Sequence, residues 1–279
     1  MKHIKGIIAT SHVDRHGEML ASEALQSLVE QINIKYIPMG VEHDPRIPPA
    51  GRLISAKLVK LEDGACAVEA VGEVFERGDV IPLSDDPREI TLHAHAPDTL
   101  EVKFDRTYRD QESQSAINEI GVLLSASPQE EIKKALEPIS ILTIGGAFAA
   151  GAVAVSFLNR LGEDVYDTLK RKVKELLRRR SSDSPERLLV YEFTLMQDDL
   201  VVSAEVILTN PTDEDIDTFM DEGLKELDAL APKYCDPSTG LRKIVFEYSD
   251  KRLSVRFGVR KDAVPLTHKQ IHHLIRKTG

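Results

Sequence analysis

The chain has 279 residues, 42% of them hydrophobic and 29% charged, with a formal net charge of −10 at pH 7. This is long enough for two modest cores and too apolar for a disordered chain, while the acidic balance argues against general nucleic-acid binding. Tryptophan is absent, and two distant cysteines, Cys66 and Cys235, supply neither a disulfide framework nor metal-ligand spacing, so a reducing cytoplasmic setting is expected.

Lys2 and Lys5 precede no long apolar run, so a signal peptide is not expected. Lys5 to Thr10 (KGIIAT) reads as a first strand, with Asp14-Arg15-His16-Gly17 as its turn. Ala24, Leu25, Leu28, Val29 and Ile32 recur at helical period, and Ser22, Glu23 and Gln26 provide a start for that helix. Tyr36 to Val41 leads to His43, and Pro45, Pro48 and Pro49 form a rigid bend. Arg52 to Leu61 and Cys66 to Phe75 read as a hairpin turning at Gly64.

Three stretches stand in a suggestive order: Ser11-His12-Val13-Asp14-Arg15-His16-Gly17-Glu18, Val41-Glu42-His43-Asp44-Pro45 and Gly51-Arg52-Leu53. The order resembles the start of tailed-phage prohead maturation proteases, serine peptidases with a fold related to herpesvirus assemblins. The resemblance implies a β-rich N-terminal domain in which His43 is the catalytic base. The family sets its nucleophilic serine on a strand after a helix, within an apolar-Ser-apolar-Gly-aromatic pattern. Here the counterpart is Arg88 to His95 (REITLHAH), which puts Thr91 at the serine position, and Glu76 to Pro87 is shorter and richer in Asp and Pro than the helix expected before it. A chain-internal threonine has a crowding β-branch and no N-terminal amine to act as its base.

On a strand, Thr91, His93 and His95 share one face, so His93 or His95 can orient His43 as the second histidine does in assemblins. The bland alternative is a row of polar, solvent-facing strand residues. His93-x-His95 also has the spacing to grip a divalent metal, completed by His43 or Asp44, but such a pair is ordinarily structural, and no metal or cofactor is expected. His268 and His272, four apart with His273 beside them, place two rings on one helical face and read as solvated tail residues.

Pro138 to Asn159 (PISILTIGGAFAAGAVAVSFLN) carries no charge and matches the roughly 20 residues needed to cross a bilayer. Its Gly and Ala content, with Gly146/Ala150 and Ala147/Gly151 at four-residue spacing, predicts a helix packed closely on another helix or another copy of the chain. Val165, Leu169, Val173 and Leu176 then mark an amphipathic helix whose other face carries Lys170, Arg171, Lys172, Lys174, Arg178, Arg179 and Arg180. That stripe suits an anionic lipid surface or solvent. Ser181 to Pro185 reads as a linker.

Arg187 to Leu195 and Leu200 to Leu208 form one hairpin, and Lys243 to Tyr248 and Leu253 to Val259 another. Between them a helix is capped by Thr212 and Asp215, with Ile216, Phe219, Met220, Leu224, Leu227 and Leu230 on its apolar face. The expected fold is therefore α+β: a β-rich prohead-protease-like domain (1–128), an apolar helix plus a basic amphipathic helix and linker (129–184), and a ββαββ interaction domain (185–279).

Two functions follow. One is a serine-protease-like protein that cleaves a protein partner or itself, degenerate to the extent that Thr91 replaces the nucleophilic serine. The other is a non-catalytic interaction or membrane-recruitment protein on the same fold. The expected partners are a protein, a second copy of the chain, and an anionic membrane surface met through 138–180; nucleic acid is excluded.

Overall fold

The computed structural model describes residues 1–13, 19–41, 44–76, 81–92, 95–96, 99–131, 139–179 and 186–278. The chain is mixed α+β and falls into two units: Met1–Val41, Ile47–Thr91 and Val259–Pro265 in the first, and Glu42–Arg46, Leu92–Gly258 and Leu266–Gly279 in the second. The main division thus lies near residue 91, not at the expected 128, and neither 129–184 nor 185–279 stands as a unit of its own.

In the first unit, strands β1 (Lys2–Thr10), β2 (Ile37–Met39), β3 (Gly51–Lys60) and β4 (Cys66–Val74) form an antiparallel sheet in the order β1-β4-β3-β2. The β3–β4 hairpin turns where the sequence predicts, with Gly64 at φ +86°, a conformation glycine adopts without steric cost. Helix α1 (Ser22–Ile34) lays Leu25, Val29 and Ile32 on Val68, but its N-cap is Ala21, which makes no side-chain capping bond. Gly51 has to be a glycine, because a Cβ there would lie 2.2 Å from the Glu73 carbonyl oxygen. Arg52 beside it donates to Glu73 at 2.7 Å and to the Asp262 carbonyl at 2.7 Å.

The strand expected over Arg88–His95 does not form. Ile90 makes an isolated parallel bridge to Tyr36, and Thr91, Leu92, His95 and Ala96 lie outside any strand. Arginines organise this acidic, proline-bearing segment instead. Arg88 pairs with Asp86 and donates to the Ile54 carbonyl, and Arg260 donates to the carbonyls of Ile81 and Pro82 while paired with buried Asp262. The guanidinium groups of Arg52 and Arg88 both lie over the Tyr36 ring, at 4.3 and 4.6 Å from its centroid.

The second unit is built on strands β5 (Leu100–Asp105), β6 (Gln129–Glu131), β7 (Ile139–Ala149), β8 (Glu186–Gln197), β9 (Leu200–Thr209), β10 (Leu241–Ser249), β11 (Arg252–Arg260, up to Gly258) and β12 (Pro265–Thr267, from Leu266), in the order β12-β11-β10-β9-β8-β7-β5-β6. Three strand pairs are parallel across intervening helices. α2 (Gln111–Leu124) links β5 to β6. α3 (Val153–Leu161) and α4 (Glu163–Arg179) link β7 to β8, and α5 (Asp213–Thr218) and α6 (Leu224–Leu230) link β9 to β10. The expected β8–β9 hairpin and the Thr212/Asp215 capping box are both present, as is the tight turn between β10 and β11 at Asp250-Lys251, both at positive φ. One face of the sheet meets the helices through alternate residues such as Phe104, Ile144, Phe148, Tyr191, Phe193 and Phe246.

The apolar run read as a helix is β7 followed by α3. β7 pairs with β8 over its whole length and with β5 on its other edge, and all but its end residues are buried, which erases the alternation that marks a one-sided strand. β-Branched Ile139, Ile141, Thr143 and Ile144 favour the extended backbone. The glycines make room for large neighbours: a Cβ on Gly146 would lie 2.8 Å from Leu100 Cδ2 and 2.9 Å from Phe148 Cε2. Among the described residues no helix is long and apolar enough to cross a membrane.

α4 is the expected amphipathic helix, burying Tyr166, Leu169, Val173, Leu176 and Leu177. Its cations meet carboxylates of the same unit: Lys172 with Glu119 of α2 at 2.5 Å, Lys174 with Asp217 of α5 at 2.7 Å, Lys170 with Asp221 at 2.8 Å, Arg179 with Glu112 at 3.2 Å, and Arg178 with Asp213. Exposed pairs of this kind add little stability, and their main consequence is to set a carboxylate beside Lys170, Lys172, Lys174, Arg178 and Arg179.

Candidate functional site

On the sheet face away from the helix core, charged residues sit at alternate positions of otherwise apolar strands: Glu101 and Lys103 on β5, Glu192 on β8, Glu205 on β9 and Lys243 on β10. Gly145 of β7 lies in register with Glu101 on one side and Glu192 on the other, and Glu192 with Glu205. Like charges directly opposite destabilise a ladder. Lysines flank both: Lys103 Nζ lies 3.4 Å from Glu101 and 3.3 Å from Glu192, and Lys243 Nζ lies 2.5 Å from Glu205.

His95 sits over the glycine in this row. Its side chain is fully buried, its Nδ1 lies 3.3 Å from Glu101 Oε1, and its backbone N–H donates to Thr194 Oγ1 at 2.9 Å. A Cβ on Gly145 would fall 2.5 Å from the His95 Cε1, so the ring occupies the space the glycine leaves. The arrangement orients an imidazole against a carboxylate. Next to the row is a cavity of about 310 Å³ whose lining includes Lys103, Thr143, Glu130, Glu131, Glu192 and Glu205, with Glu130 paired to Arg109 at 2.6 Å.

Of the residues expected to form a catalytic group, Thr91 and His95 fall among the described residues. Thr91 is exposed on irregular backbone in the first unit, whereas His95 belongs to the second. His43 and His93 lie outside the described residues. The shared strand face of Thr91, His93 and His95 is therefore corrected, since neither Thr91 nor His95 is in a strand. Asp44 is committed to Arg46, accepting from its backbone N–H at 2.8 Å and from its Nε and second guanidinium nitrogen at 2.9 and 2.6 Å, while Arg46 also donates to Glu186 at 2.6 Å. Burial alone would raise the Asp44 carboxyl, but the Arg46 bonds outweigh it and hold it below the ordinary carboxylate value. Arg46 holds Glu186 below its ordinary value in the same way. The thiol of buried Cys235 is pushed up to about 11 by burial, which leaves it a packing group and not a nucleophile at neutral pH.

Sequence reasoning missed Glu101, Lys103, Glu192, Glu205 and Lys243. The available signal was a charge inside an apolar strand, as in Val102-Lys103-Phe104, Tyr191-Glu192-Phe193 and Ala204-Glu205-Val206. Among the described residues, no group of three or more His, Cys, Asp or Glu is arranged to hold a metal ion. In comparisons with protein-family models, curated proteins and solved structures, nothing matches the chain.

Proposed function

We propose that the chain is a non-catalytic interaction protein that binds a protein partner on the charged face of its eight-stranded sheet. The observation that carries this reading is the setting of Thr91, exposed on backbone that belongs to no strand. A nucleophile needs a rigid support that fixes its hydroxyl beside a base and an oxyanion site. The imidazole of His95 is turned to the Glu101 carboxylate and fully buried. Four carboxylates around a cavity of about 310 Å³, with Glu130 paired to Arg109, Glu192 to Lys103 and Glu205 to Lys243, offer an ion-pair network that a lysine or arginine side chain of a protein partner can join. The sheet-face reading is preferred to a membrane-recruitment role because cations of the α4 stripe pair with carboxylates of α2 and α5.

The test is hydrolysis of fluorescein-labelled casein together with the intact mass of the purified chain over time, for the wild type and for Thr91→Ala and His43→Ala. The expected result is no hydrolysis and no self-cleavage in any of the three. Turnover that disappears in both variants would restore the peptidase reading.

A further inference from the structure

We propose that His268 and His272 form a two-imidazole chelate for a divalent transition-metal ion of the zinc class, independent of the sheet-face site. Both stand on helix α7 (His268–Thr278), one turn apart, and both are exposed. Their Nε2 atoms face each other at 2.7 Å, with ring centroids 4.3 Å apart and planes at 89°. The helix is fixed in place: Ile271 is fully buried in the core of the second unit, and Thr267 and Gln270 exchange bonds across its first turn. The two rings are thus presented from one rigid support instead of from a fraying tail.

Two imidazole nitrogens at this separation share a proton, and a metal bonded to both can take the proton's place. A zinc ion bonded to each at about 2.0–2.1 Å in tetrahedral geometry sets them about 3.3 Å apart, so the two exposed rings part by roughly 0.6 Å through side-chain rotation. Imidazole selects zinc, copper and nickel over magnesium and calcium, which prefer oxygen. Protons compete for the same lone pairs. Zn²⁺ binding therefore weakens as pH falls and the rings protonate. With no third protein ligand arranged beside them among the described residues, the remaining coordination positions belong to water, and the site is open to exchange.

Calorimetric titration of Zn²⁺ into the full chain tests this, with long-range ¹H–¹⁵N correlation of the imidazoles to identify the bonded nitrogens. The expected result is one ion bound through Nε2 of His268 and His272, at least tenfold weaker binding in His268→Ala and in His272→Ala, no change in His273→Ala, and no response to Mg²⁺. Circular dichroism of each variant confirms that these exposed substitutions leave the fold intact. Equal Zn²⁺ affinity in the wild type and the double variant, or shifts confined to other histidines, would overturn the assignment.

Discussion

Replacing Gly145 with alanine distinguishes a strand from a helix by the sign of its effect. In β7 the added Cβ would lie 2.5 Å from His95 Cε1, 2.7 Å from His95 Nε2 and 3.0 Å from the Glu192 carbonyl oxygen. The ring has to move by roughly 1 Å to regain ordinary contact, inside a site where it is fully buried and turned to Glu101. Overpacking of this kind costs about 1–3 kcal/mol, offset in part by the lower backbone entropy of alanine, worth about 0.5–1 kcal/mol. The net expectation is a loss of about 1–2 kcal/mol. In a helix interior the same substitution would stabilise by about 1 kcal/mol. In a His95→Ala background the main clash is gone, so the cost of Gly145→Ala should fall below about 0.5 kcal/mol, a coupling of about 1 kcal/mol. Urea denaturation followed by far-ultraviolet circular dichroism reads all four proteins of the cycle. A stabilising Gly145→Ala, or an equal cost in both backgrounds, would refute the placement of His95 over β7.

Arg46 holds the carboxyls of Asp44 and Glu186 below their ordinary values, so the stability they contribute is fully present above the ordinary carboxylate range and is lost as pH falls through their lowered folded-state values. Arg46→Met should therefore destabilise the chain near neutrality by an amount that shrinks below about pH 5, measured by urea denaturation across pH; a difference that stays constant with pH would contradict the pairing. Because the cations of α4 are paired within the unit, the chain should not sediment with phosphatidylserine vesicles at physiological salt. Vesicle binding that is lost in a Lys172→Gln/Lys174→Gln double variant would show that the stripe is available to lipid. Short labelled peptides bearing arginine should bind in a salt-sensitive manner in fluorescence anisotropy and bind more weakly to a Glu130→Gln/Glu131→Gln variant. Unchanged binding would remove the cavity from the proposed interaction face.

Elements with a one-sided pattern were legible in the sequence. α1 and α4 each bury one face, so their periodicity survives, while the β3–β4 and β8–β9 hairpins and the Thr212/Asp215 cap were marked by their turn and capping residues. β7 was misread because a central strand buried on both faces shows no period, and its glycines serve His95 and Phe148 in the fold while looking like a helix-packing stripe in the sequence. The ββαββ segment was read correctly in its elements but not in its membership, since nothing in Glu186–Gln197 indicates that its other edge pairs with β7. Of the expected site, only Thr91 and His95 fall among the described residues, and the arginine bonds that organise Ile81–Ile90 replace the helix and strand on which that expectation depended. The charged row was hidden for a different reason: its members stand on four strands, β5, β8, β9 and β10, that come together only through strand order.

The most direct measurement of the central claim is incubation of the purified chain with a proteome-derived peptide library, with new termini counted by mass spectrometry for the wild type, Thr91→Ala and His43→Ala. The account predicts no cleavage products that depend on either residue. A set of products formed by the wild type and absent from both variants would contradict it.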